Sequence, residues 1–106
     1  MRLVTRFATY ENCFLKVNSY VLDKSPSVQI WNMEDGPIAS LTVCLDMREF
    51  GGSGNEAFVD TNNLPEAIDF IREYGLGKLN GLAARSGRCI YPMVEFDMDA
   101  VKKYTA

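Results

Sequence analysis

The sequence predicts an α+β fold: an antiparallel β-sheet of four to five strands, one main helix packed on one face, and a short C-terminal helix. Three observations predict it. Between Cys13 and Leu45, β-forming runs alternate with short turn signals. Between Asn62 and Gly75, apolar residues recur at helical spacing. The 106-residue chain shows no repeat, low-complexity segment or linker, which predicts a single domain over residues 1–106.

Residues Arg2–Tyr10 are expected to form a short first strand with weak alternation. Cys13–Leu22 is a stronger candidate, with Phe14, Val17, Tyr20 and Val21. Asp23-Lys24-Ser25-Pro26-Ser27 reads as a turn, because Pro fixes φ and Asp and Ser satisfy local backbone groups. Val28–Met33 is the next strand, and Glu34-Asp35-Gly36-Pro37 the next turn. In Ile38–Leu45, Ala39, Leu41, Val43 and Leu45 alternate with Ser40, Thr42 and Cys44, the period of a half-buried strand. Short turns make these strands an antiparallel meander.

Met47–Glu56, with Gly51-Gly52-Ser53-Gly54, reads as a flexible connection, and Ala57–Asp60 as a short strand after it. The main helix is expected next. Asn62 or Asn63 caps it, and Pro65 sits in the first turn, where a missing N–H costs nothing. Leu64, Ala67, Ile68, Ile71 and Tyr74 form its apolar stripe, with Glu66, Asp69, Arg72 and Glu73 largely off it. Gly75 ends it as a left-handed cap. Leu76–Gly87 carries several glycines and reads as a loop. Arg88–Phe96 reads as a final strand, in which Pro92 favours an edge or a bulge. Asp97 is placed to cap a short helix over Met98–Tyr104.

Composition bounds the function. The chain is 47% hydrophobic and 24% charged, as in ordinary globular proteins. A formal charge of -3 argues against direct binding to nucleic acid or an anionic membrane. No apolar segment follows the start as in a secretion signal, and none is long enough to span a bilayer. Cys13, Cys44 and Cys89 are odd in number and widely spaced, which suggests free thiols in a reducing cytosol and a cytoplasmic location.

Catalytic chemistry finds little support. Without histidine, the commonest general base and metal ligand is missing. Cysteine separations of 31 and 45 residues match no zinc pattern, so buried hydrophobic roles are expected. No metal and no cofactor are expected. The glycine run lacks the Lys-Ser/Thr of a phosphate loop. Glu95, Asp97 and Asp99 alternate, but solvation and helix capping explain them. In Arg85-Ser86-Gly87-Arg88, two guanidiniums around a glycine suit a phosphate or carboxylate. Trp31 is expected in the core, since tryptophan is highly buried on average.

Charge distribution is more telling. From Asp46 to Glu73, seven carboxylates face two bases, a balance of -5, whereas Lys78–Arg88 holds three bases and no acid. Such asymmetry can steer a protein partner.

Several phrases carry a resemblance: Val28-Gln29-Ile30-Trp31, Gly36-Pro37-Ile38-Ala39-Ser40-Leu41-Thr42-Val43, Asn55-Glu56-Ala57-Phe58-Val59-Asp60-Thr61-Asn62-Asn63 and Ser86-Gly87-Arg88-Cys89-Ile90-Tyr91-Pro92. The chain resembles, from about Phe14 to Phe96, a family of small bacterial and mobile-element proteins described only as a domain of unknown function. That setting implies, by association, an inhibitor of a host nuclease defence system of the anti-CRISPR type.

The leading expectation is therefore a non-enzymatic protein-binding module with an acidic helix and loop surface. Asp60, Glu66, Asp69 and Glu73 are its acidic contacts, and Asn62 and Asn63 its polar ones; the partner expected is a protein such as a nucleic-acid-binding nuclease. One alternative is a small anion-binding or enzymatic domain using Arg85 and Arg88, beside Asp60 or Glu95. Another is a homodimer formed through an edge strand.

Overall fold

The computed structural model describes residues 1–45 and 54–105. Most of the expected Met47–Glu56 connection, including Gly51, Gly52 and Ser53, lies outside the described residues, as do Asp46, Arg48 and Glu49. The N-terminal segment is a hairpin of β1 (Leu3–Val4) and β2 (Thr9–Tyr10), not the single strand expected. It is tied to the body: the Met1 ammonium donates to Cys13 O (3.0 Å), and Cys13 N–H donates to Met1 O (2.7 Å).

A three-stranded meander forms, with bounds that differ from those expected: Pro26, Ser27, Gly36 and Pro37 belong to strands and not to turns. β3 (Phe14–Ser19), β4 (Pro26–Asn32) and β5 (Gly36–Ser40) make a three-stranded antiparallel sheet. β4 alternates strictly, with Val28 and Ile30 fully buried and Gln29 and Trp31 facing outward. Trp31 is therefore not a core residue. Ile30 holds the inward position, and a pleated strand sends its neighbour to the other face. There the half-buried indole lies 3.7 Å beneath the Lys16 ammonium, and its N–H donates to Gln29 Oε1 (3.1 Å).

The expected strand Ile38–Leu45 divides in two. β5 ends at Ser40; β6 (Thr42–Val43) then crosses to a second sheet and pairs with β7 (Glu56–Val59). Leu41, fully buried at the crossing, donates to Val28 O in one sheet and accepts from Asp60 N–H beside the other, both at 2.9 Å. The second sheet runs in the order β6-β7-β9-β8, with β8 (Gly77–Ser86) and β9 (Cys89–Phe96). Residues 77–86, expected as a loop, are thus a ten-residue strand.

Helix contributes less than expected. α1 (Ala67–Glu73) has seven residues and α2 (Met98–Lys103) six. Asn62 and Asn63 do not cap α1. The Asp60 carboxylate accepts from Asn63 N–H (3.2 Å) and from its side-chain amide (2.9 Å), closing a local turn, and the helix starts only at Ala67 after Glu66. Its end is as expected. Gly75 takes φ +62°, its N–H donates to Arg72 O, and Leu76 N–H donates to Ile71 O. Asp97 caps α2, accepting from Asp99 and Ala100 N–H at 3.1 Å.

The expectation of one main helix packed on a single sheet is therefore overturned. Among the described residues the fold is mostly antiparallel strand, in three sheets, with two small helices. The main core joins Leu15, Val28 and Ile30 of the first large sheet to Ala57, Val59, Val94 and Phe96 of the second. Phe70 and Ile71 of α1, Val101 of α2 and Leu3 also belong to it. Full burial of each large side chain contributes about 1.5–3 kcal/mol. No helix among the described residues is long and apolar enough to cross a membrane.

Candidate functional site

The residues expected to form an acidic surface do not act as one group. Asp60 is 7% exposed, and its carboxylate is engaged with Asn63. Glu66 is half-buried: Oε1 accepts from Arg6 N–H at 3.3 Å, and Oε2 is buried without a hydrogen-bond partner among the described residues. Asn62 and Asn63 are exposed in the turn before the helix, with Asn63 held by Asp60. Only Asp69 and Glu73 extend freely into solvent, one turn apart on α1 with exposed Arg72 between them.

Arg85 and Arg88 share one exposed hairpin. Ser86 pairs with Cys89, so the loop is only Gly87-Arg88. Gly87 has φ +60°, and glycine at the first position of a two-residue loop matches the twist of the flanking strands. Glu95, an expected neighbour of the arginines, sits at the other end of β9 opposite Lys78. Seven residues of extended chain at about 3.4 Å each separate it from Arg88. A cavity of about 590 Å³ at that far end is lined by residues that include Asn55, Lys78, Glu95, Asp97 and Asp99, and neither arginine is among its lining residues.

A proline sets the hairpin free. β9 is central, yet its pairing with β7 stops at Met93. The next position is Pro92, which has no N–H to offer Val59 O. That carbonyl accepts from Thr61 N–H instead, at 2.9 Å. Beyond Met93 the sheet narrows to two strands, Ala83–Ser86 against Cys89–Pro92, which form an arm. Pro92 pairs with Ala83 where the register of β8 shifts; the extra residues lie on β8, and β9 is central, not the edge strand that Pro92 also allowed.

The sequence reading missed the open edge. β8 is the last strand of its sheet. Asp97 N–H donates to Leu76 O at 2.8 Å, and antiparallel alternation from there and from the two-residue loop gives one parity. Ala84 and Ser86 bond to β9, whereas the amides of Ala83 and Arg85 point away from it. Leu79, Leu82 and Ile90 are exposed beside this edge, at 43%, 49% and 57%. Lys78, Arg85 and Arg88 supply charge, and no carboxylate lies between Glu73 and Glu95. The missed signal was this acid-free run of small and apolar residues, whose glycines suggested a loop.

The other face of the arm carries Tyr91 and Cys89. A hydrogen bond with Cys89, then burial, then the nearby charges of Cys89 and Asp60 raise the Tyr91 phenol above its ordinary 10.0. Burial, the largest influence on Cys13, raises its thiol above 9.0. All three cysteines are free thiols. Cys13 is buried, whereas Cys44 and Cys89 are half-buried. Among the described residues no three His, Cys, Asp or Glu side chains converge to hold a metal.

Residues 14–106 match the family model described as Domain of unknown function (DUF4313). The chain belongs to that family. Its match starts at β3, so the β1–β2 hairpin lies before it, while α1, the arm and α2 lie within it. No curated protein and no solved structure matches the chain.

Proposed function

We propose that this DUF4313 protein is a non-enzymatic protein-binding module that takes up an extended segment of its partner along β8. One observation carries this reading: a ten-residue edge strand whose outward amides at Ala83 and Arg85 have no partner strand among the described residues, flanked by exposed Leu79 and Leu82. Such an edge is a template for strand addition, in which backbone hydrogen bonds provide affinity and flanking side chains provide selectivity.

Proline at residue 83 removes an outward N–H without touching the β8–β9 ladder. Partners captured from the source cell by the wild-type chain should be lost with Ala83→Pro and kept with the double variant Asp69→Lys/Glu73→Lys. The partner must then bind again as a purified protein. Binding that survives Ala83→Pro would overturn the reading.

A second reading keeps the acidic surface. Asp69 and Glu73 are both exposed and one turn apart, and they would meet a basic partner such as the nucleic-acid channel of a defence nuclease. It expects the opposite pattern, with binding lost in the double lysine variant.

A further inference from the structure

We infer that the segment received by β8 is acidic, with carboxylates alternating with β-forming residues, and not a second copy of this chain. The inference rests on the strand-addition reading and adds the chemistry of the occupant.

The first ground is charge. Between Glu73 and Glu95 the chain carries Lys78, Arg85 and Arg88 and no acid, although it is net -3 overall. All three bases are exposed on the β8–β9 hairpin; Lys78 faces Glu95 across the ladder, whereas Arg85 and Arg88 lie opposite and beside uncharged residues, so a partner can supply their counter-charge. The one side-chain ion pair among the described residues, Arg2 with Glu11 at 3.0 Å, is elsewhere.

The second ground is what the same charges exclude. Antiparallel pairing of β8 with β8 of a second copy, centred on the strand, places Lys78 opposite Arg85 of that copy, and Arg85 opposite its Lys78. Like charges directly opposite are destabilising in a sheet, and lysine on an edge is a common guard against self-pairing. The irregularity between Leu79 and Ala83 further breaks the flat edge that self-pairing needs. An acidic strand turns each repulsion into an attraction.

The third ground separates a peptide from a nucleic acid. Exposed Leu79, Leu82 and Ile90 suit apolar side chains of an added strand, and outward backbone groups suit its amides and carbonyls.

The test uses two soluble eight-residue peptides sharing one valine and threonine pattern, with glutamate in one and lysine in the other at alternate positions. Amide hydrogen exchange and amide chemical shifts of the full chain are read by NMR at equal peptide concentration. The glutamate peptide should slow exchange at Ala83 and Arg85 by about tenfold or more. The lysine peptide should leave them unchanged, and Arg85→Glu/Arg88→Glu should reverse the preference. Equal protection by both peptides would overturn the acidic partner while leaving strand addition standing. Protection by neither would overturn both. Self-association with matching protection, or oligothymidine shifting the same amides in place of the peptides, would also overturn the inference.

Discussion

The body of the molecule and its β8–β9 arm are built from the same kind of strand under opposite constraints. In β4, Val28 and Ile30 are fully buried and their outward neighbours are held by sheet contacts on both sides. In β8 eight of ten residues are exposed, and among the described residues only one side is paired. Burial dictates β4, so a change there is read as lost stability. Backbone pairing to β9 dictates β8, which leaves its side chains and outer edge free for a partner. The largest stability effects should therefore fall in the body and the largest binding effects in the arm.

Phe96→Ala should be the most damaging change. The ring is 2% exposed in the main core, and its removal should cost about 3–5 kcal/mol in denaturant unfolding. A loss below about 1 kcal/mol would mean that the two sheets do not share this core.

Gly77→Ala probes the joint between body and arm. A Cβ there would lie 2.6 Å from Glu95 O and 2.8 Å from Val94 Cγ1, so β8 must move away from β9. A cost of about 1–3 kcal/mol is expected, with faster amide exchange along β8 before β4 is affected. Simultaneous loss of protection in both strands would show that arm and body open as one unit.

Asp97→Ala should cost about 1 kcal/mol by removing the α2 cap. Thermal unfolding measures it, and an unchanged midpoint would show that packing of Val101 alone holds the helix.

Cys13 gives the body a pH signature. Its folded-state pKa is raised by burial, so the neutral thiol favours the fold. That contribution is fully present below the ordinary value of 9.0 and is lost as pH rises through the folded value. Stability of the wild-type chain should fall more steeply than that of Cys13→Ala above this point, and the two slopes should agree below it. Equal slopes throughout would contradict the burial argument.

At the small end, Ala83→Pro and Arg85→Ala should change stability by less than about 0.5–1 kcal/mol while abolishing or weakening partner binding. A large stability loss with Ala83→Pro would mean that its N–H belongs to the ladder, and the edge assignment would fall.

The same contrast explains what was legible in the sequence. Val28 and Ile30 announced β4, and Asp97 announced the α2 cap, because inward burial and capping leave local residue patterns. β8 announced nothing, since an exposed edge strand needs no apolar alternation and tolerates Gly77 and Gly81. The division at Leu41 was hidden because its alternation continues unbroken while the partner strand changes. α1 was read too long because Leu64 and Pro65 fit a helical pattern, yet Asp60 draws Asn63 into a turn first.

At the candidate site, Arg85 and Arg88 were visible as a close pair of bases. The edge they flank was not visible, because Pro92 acts through a missing hydrogen bond to β7. Acidity alone selected Asp60 and Glu66, and charge count carries no information about which carboxylates are already engaged by the fold.

Amide hydrogen exchange along β8, in the free chain and with its partner bound, tests the central claim most directly. The free chain should show alternation, with Ala84 and Ser86 protected and Ala83 and Arg85 exchanging fast. In the complex, Ala83 and Arg85 should become as slow as their neighbours. Unchanged exchange at those two amides, with new protection around Asp69 and Glu73, would contradict the account and move the interface to α1.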